Sequence, residues 1–129
     1  MLKLSVVTPE GQTLAQEVDE VTVPGLLGEF GVLDGHVPLL AASKAGVLRY
    51  RRGSERGRLA IGPGFAEVDG KGAVIALVQK ALPSEKIQRE SAEKLLGDAE
   101  ARLGKGEGKA VAEADRDWAQ AQLDALKAG

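Results

Sequence analysis

The position of the prolines constrains this chain more than any other feature. All five lie at or before Pro83, and the 46 residues from Ser84 onward contain none. The same point divides the other structure-forming residues. Residues 1–83 hold 12 of the 17 Gly and 13 Val plus Ile, whereas residues 84–129 hold two Val plus Ile and ten Ala. Val and Ile favour pleated sheet, and Gly and Pro favour turns. Ala with Glu, Lys, Gln and Leu favours helix, and Pro is not tolerated in a helix interior. The expected architecture is α+β: an antiparallel β-sandwich over 1–83, then a two-helix antiparallel hairpin over 84–129.

Turn residues mark off short apolar segments within the first part. Leu2, Leu4 and Val6 alternate with Lys3 and Ser5, the period of a half-buried strand. Pro9-Glu10-Gly11 then turns the chain. Further extended segments are expected at Val18–Val23, Leu39–Ser43, Gly46–Arg52, Arg58–Ile61, Phe65–Asp69 and Ala73–Gln79. Asp69-Gly-Lys-Gly72 between two apolar runs predicts a hairpin. In the second part, Ser84 after Pro83 is the expected helix cap, with Glu85 in the first turn. Ile87, Leu95, Ala99 and Leu103 recur at multiples of four and define one apolar stripe, widened by Ala92 and Leu96. Gly104 to Gly108 breaks the helix. Val111, Ala114, Trp118, Ala121 and Ala125 then form a coiled-coil-like seam on a second helix, with Trp118 as its anchor.

Several chemistries are excluded by composition. The chain has no Cys and one His, His36, so thiolate nucleophiles and multi-histidine metal sites are ruled out. A metal cupin, the main enzymatic alternative for a small sandwich, fails for the same reason. The net charge of −2 and the 3% aromatic content give no nucleic-acid footprint. The longest clean apolar run, Ala73–Val78, is far short of the roughly 20 residues needed to cross a bilayer. The expectation is a soluble, intracellular protein without a signal or transit segment.

Local motifs carry little chemistry. Gly104 and Gly108 enclose three residues rather than the four of a phosphate loop, and Ala110 stands where that loop needs Ser or Thr. Gly25, Gly28 and Gly31 are evenly spaced but do not match the dinucleotide fingerprint, and predict a tight loop that exposes Glu29. Asp34 beside His36 raises the option of an oriented general base, but no nucleophile motif accompanies it. Arg49, Arg51, Arg52, Arg56 and Arg58 cluster around Gly53, which is expected to be a solvated hairpin tip. From the residues alone the remaining reading is an interaction protein, and a free-standing adaptor stays open.

A longer run goes further. Val21-Thr-Val-Pro-Gly-Leu-Leu-Gly-Glu-Phe-Gly-Val-Leu-Asp-Gly-His-Val-Pro-Leu-Leu40 closely resembles the signature of the epsilon subunits of rotary F-type ATP synthases, homologous to the mitochondrial delta subunit. Gly46-Val-Leu-Arg49 and Gly62-Pro-Gly-Phe-Ala-Glu-Val68 match the strands that follow. The resemblance is close over residues 2–83 and architectural beyond. It implies a non-catalytic rotor subunit of the central stalk, which couples proton flow through the c-ring to ATP synthesis via gamma. It implies a peripheral place on the cytoplasmic face of a bacterial inner membrane. Gly28, Glu29 and Gly31 match the loop facing the c-ring, and His36 matches a position near gamma. The helices would also meet the alpha and beta subunits if they extend to inhibit ATP hydrolysis. Two departures qualify this. Asp34 stands where the family usually has Pro. Gln88 and Ser91 replace the Asp and Arg of the nucleotide-binding members, so no cofactor is expected and ATP binding should be weak or absent.

Overall fold

The computed structural model describes residues 1–127. Ten strands precede the helices. They are β1 (Leu2–Thr8), β2 (Gly11–Val18), β3 (Glu20–Gly25), β4 (Gly28–Leu33) and β5 (Leu39–Ser43). Then follow β6 (Gly46–Arg52), β7 (Glu55–Ile61), β8 (Gly64–Val68), β9 (Ala73–Val78) and β10 (Ala81–Pro83). A 3₁₀ turn at Ser84–Lys86 leads to α1 (Arg89–Lys105) and α2 (Lys109–Leu126). The strands run in the order β10-β7-β6-β3-β5-β8-β9-β1-β2, and β4 pairs with β3 off this path. The sheet folds over on itself around one apolar core.

Strand alternation builds that core. Leu2, Leu4 and Val6 of β1, Val74, Ala76 and Val78 of β9, and Leu59 and Ile61 of β7 all point inward and are buried. Each large aliphatic side chain buried this way contributes about 1.5–3 kcal/mol. Every pairing is antiparallel except one. β1 runs parallel to β9, from Lys3 opposite Ala73 to Val7 opposite Leu77. Hairpin turns dictate pairing between chain neighbours, but no turn joins β1 to β9, and closing the sandwich sets their direction.

Two strands, β2 and β4, lie largely outside the expected extended segments. The expected segment Val18–Val23 is divided at Asp19 between β2 and β3. β2 is an outer strand with polar residues on its solvent side, so its alternation is weak in sequence. Only Leu14, Gln16 and Val18 turn inward, along a register from Leu2 opposite Val18 to Thr8 opposite Gly11. β4 contains two glycines yet places Phe30 and Val32 against the core.

The start of α1 also differs from expectation. Ser84 does not cap it; its hydroxyl meets Glu85 at 3.2 Å, and α1 begins after an uncapped Gln88. Ile87, outside the helix, packs on the sheet. The hairpin turn is closed by glycine. Gly106 adopts φ +70°, its N–H donates to the Leu103 carbonyl, and the Glu107 N–H donates to that of Arg102 at 3.1 Å. This double bond pattern satisfies carbonyls that end a helix unpaired.

The second helix has two buried faces rather than one seam. Ala112 and Ala119 are buried, as are Ala92 and Ala99 of α1. Ala121 and Ala125 instead meet Val47 and Ala60 of the sheet, with Ile87 and the half-buried Leu82, Trp118 and Leu126. Val111 is exposed, and so is Ala114. Trp118 therefore anchors the hairpin to the sandwich.

Candidate interaction surfaces

The β3–β4 hairpin carries Gly28, Glu29 and Gly31. Gly25 pairs with Gly28, leaving Leu26 and Leu27 as its turn. The Leu26 N–H donates to the Ala42 carbonyl at 2.9 Å, which fixes this tip to β5. Leu27 is fully exposed (102%). Glu29 is not an isolated loop residue. It lies in β4 and accepts a bond from Arg49 Nη1 at 2.7 Å, with both side chains about half exposed. A Cβ built on Gly31 would meet nothing within 4 Å, so the backbone there is open to close approach.

His36 lies in the turn before β5. Its N–H donates to the Leu33 carbonyl at 3.1 Å, and Nδ1 is 2.6 Å from the Val37 carbonyl. A carbonyl only accepts, so Nδ1 carries the proton. Asp34 does not orient the ring. Its carboxylate binds the Met1 ammonium at 3.0 Å, and that hydrogen bond and charge hold its pKa below the usual carboxylate value. The Asp–His pairing that general-base chemistry would need is therefore not formed.

The arginine cluster is structural in part. In the β6–β7 register Arg49 lies opposite Arg58 and Arg51 opposite Arg56. Like charges so placed repel unless neutralised. Glu29 answers Arg49, and Asp19 answers Arg51 at 3.6 Å. Arg58 donates to the Lys127 carbonyl at 2.5 Å and so ties the end of α2 to the sheet. Gln88 and Ser91 bond to one another at 3.3 Å.

Sequence reasoning did not single out the outer face of β5, β8, β9 and β1. Ala42, Phe65, Leu77 and Val7 lie side by side across these strands. Leu40, Glu67, Ile75 and Ser5 form the next row. Leu40, Phe65 and Leu77 are each more than half exposed, and a groove of about 660 Å³ runs beside Phe65 and Leu77. The signal was present in Ala73–Val78. Its side chains are apolar on both strand faces, a pattern that belongs to a sheet covered on both sides. The hairpin covers β6 and β7 instead, so this face remains open.

Among the described residues no group of three or more His, Cys, Asp or Glu could hold a metal, and no helix is long and apolar enough to cross a membrane. Fold and surfaces together define a β-sandwich with a docked helical hairpin that offers contact faces for other chains. A family model described as the ATP synthase delta/epsilon chain β-sandwich domain matches residues 1–84. The chain belongs to this ATP synthase delta/epsilon family. It is 47% identical over 102 residues to the ATP synthase epsilon chain 2 of Syntrophotalea carbinolica, covering 79% of this chain and 73% of that one. It is 43% identical over 104 residues to the ATP synthase epsilon chain of Geobacter sulfurreducens, covering 81% and 75%. Among solved structures it resembles a chain of the Euglena gracilis mitochondrial ATP synthase OSCP/F1/c-ring assembly, with a TM-score of 0.85 and 27% identity, covering 98% of this chain and 81% of that one. A chain of the Tetrahymena thermophila mitochondrial central stalk and c-ring shares the fold, with a TM-score of 0.67 at 14% identity.

Proposed function

We propose that this chain is the epsilon-type rotor subunit of a bacterial F-type ATP synthase, a non-catalytic part of the central stalk at the cytoplasmic face of the inner membrane. The observation that carries the reading is the open apolar face at Leu40, Phe65 and Leu77, on a chain whose hairpin docks elsewhere. A face of this kind calls for a protein partner. Gamma is that partner. The Leu26–Leu27 tip and the open backbone at Gly31 suit the c-ring loops, and Glu29 would exchange Arg49 for a polar group there. His36, whose Nδ1 is engaged with its own chain, leaves Nε2 for gamma.

The hairpin supplies regulation. Its contact with the sheet is small, the methyls of Ala121 and Ala125 with the half-buried Trp118 and Leu126, so docked and extended forms lie within reach of a partner's binding energy. Once extended it would run beside the alpha and beta subunits. Its last helix offers Lys109, Arg116 and Lys127 against Glu113, Asp115, Asp117 and Asp124, so inhibition of hydrolysis should be weak. ATP should not bind at Gln88 and Ser91, which satisfy each other.

Titration of the full chain into cognate gamma held in its catalytic head tests this, with binding and ATPase rate measured together. One-to-one binding that Phe65→Glu abolishes is expected. No binding at micromolar concentrations would refute the stalk role.

A further inference from the structure

An apolar notch lies between α2 and one end of the sandwich. It has a volume of about 420 Å³, the size of a small-ligand site. Its apolar wall is formed by Leu26, Pro63, Ala114 and Trp118. Ser43, Lys44, Gln79 and Lys80 supply the polar groups on the sandwich side, and Glu113, Asp115 and Asp117 those on the helix side.

Three features of these polar groups indicate what the notch would hold. The first is Ser43. Only 5% of it is exposed, and its Oγ is the one buried side-chain polar atom among the described residues without a hydrogen-bond partner. A buried hydroxyl left unpaired is unfavourable, and a ligand acceptor would satisfy it. The second is that the acids are already matched. Asp115 binds Arg102 at 2.7 Å, Asp117 binds Arg116 at 3.2 Å, and Glu113 is 3.9 Å from Lys109. The third is that the cations are not matched. Among the described residues neither Lys44 nor Lys80 forms an ion pair with a carboxylate. Lys80 Nζ is held 5.8 Å from the centre of the Trp118 ring.

An apolar wall, a buried donor and two free ammonium groups suit a small monoanion with an apolar body. We propose that this notch binds small amphipathic carboxylates, their oxygens on Lys80, Lys44 and the Ser43 hydroxyl and their body against Trp118 and Leu26. The bound molecule touches both α2 and the sandwich, so it favours the docked hairpin over the extended one. The site rests on this geometry alone, and only its effect on the hairpin rests on the proposed docking equilibrium.

Trp118 is the single tryptophan of the chain, so its emission reports on the notch directly. The full chain is titrated with octanoate and, separately, with 4-phenylbutyrate, and the same titrations are followed by calorimetry. We expect saturable changes with half-saturation at about 1 mM or below. Whichever probe binds more tightly shows whether an acyl or an aryl body is preferred. Octylammonium, of the same apolar character and opposite charge, should not bind. Lys80→Met and Lys44→Met should each weaken the carboxylates on the order of tenfold, the scale of a lost hydrogen bond to a charged group. Lys44→Met, read by calorimetry, is the control for any direct effect of Lys80 on Trp118 emission. Ser43→Ala should weaken them severalfold without lowering the melting temperature of the free chain. The proposal is overturned if neither carboxylate saturates, if octylammonium binds equally well, or if neither lysine substitution changes the affinity.

Discussion

Replacing Ala125 with Leu tests how the hairpin is held. Ala125 has no exposed surface and packs with Ala121 against Val47 and Ala60. Each alanine methyl contributes about 0.8 kcal/mol by burial, and Ile87, Leu82, Trp118 and Leu126 supply the rest. The latch is therefore a matter of a few kcal/mol. An isobutyl group in place of the methyl has no room between α2 and two β-strands, and such overpacking costs about 1–3 kcal/mol. That shifts the balance of docked against undocked hairpin by about five- to 150-fold. Ala125 belongs to none of the sandwich core, so the sandwich should fold as before. The expected result is a red shift of Trp118 emission and faster tryptic cleavage at Lys109 and Arg116, with the main melting transition of the sandwich retained. If Ala125→Leu left both the emission and the cleavage rate unchanged, the reasoning that alanine methyls set the docking would be wrong. If the sandwich itself failed to fold, the two clusters would be energetically one.

Other expectations are smaller and more local. Glu29→Gln removes the partner of Arg49, but both side chains are half exposed; the melting curve should move by less than about 1 kcal/mol of stability. Asp69 accepts bonds from the N–H groups of Ala73 and Lys71, chiefly the first, which hold its pKa below 3.8. A lowered folded-state pKa means that its contribution is fully present above pH 3.8 and fades as pH falls through the lower folded value. Asp69→Ala should therefore lose stability at neutral pH and show a flatter acid-unfolding curve than the parent. Gly106→Ala forces a side chain into φ +70° and should destabilise the hairpin by about 1–2 kcal/mol, seen as earlier loss of helical circular dichroism on heating.

Several features were legible in the sequence because they are local. The alternation of Leu2, Leu4 and Val6, the Asp69–Gly72 turn and the glycine break before Lys109 each declare a backbone period or its interruption. Loss of Pro and of β-branched residues beyond Pro83 marks where strands give way to helices, and β10 ends at that residue. The run from Val21 to Leu40 went beyond local structure, since its residues resemble one family and that family matches residues 1–84.

What needed the tertiary structure depends on residues far apart in the chain. The parallel contact of β1 with β9 follows from closing the sandwich. β2 and β4 are strands because neighbours pair with them, despite weak alternation or glycine. An alanine-rich helix offers small side chains on every face, so its sequence does not say which face it buries. Packing chose Ala112 and Ala119 for one buried face and Ala121 and Ala125 for the sheet. The same holds for charge. Five arginines near one turn read as a solvated tip, yet pairing across strands gave Arg49 to Glu29, Arg51 to Asp19 and Arg58 to the end of α2. Sequence fixes periods along a chain; which periods meet depends on the whole core closing at once, and that is where the open face at Phe65 and the notch at Trp118 were decided.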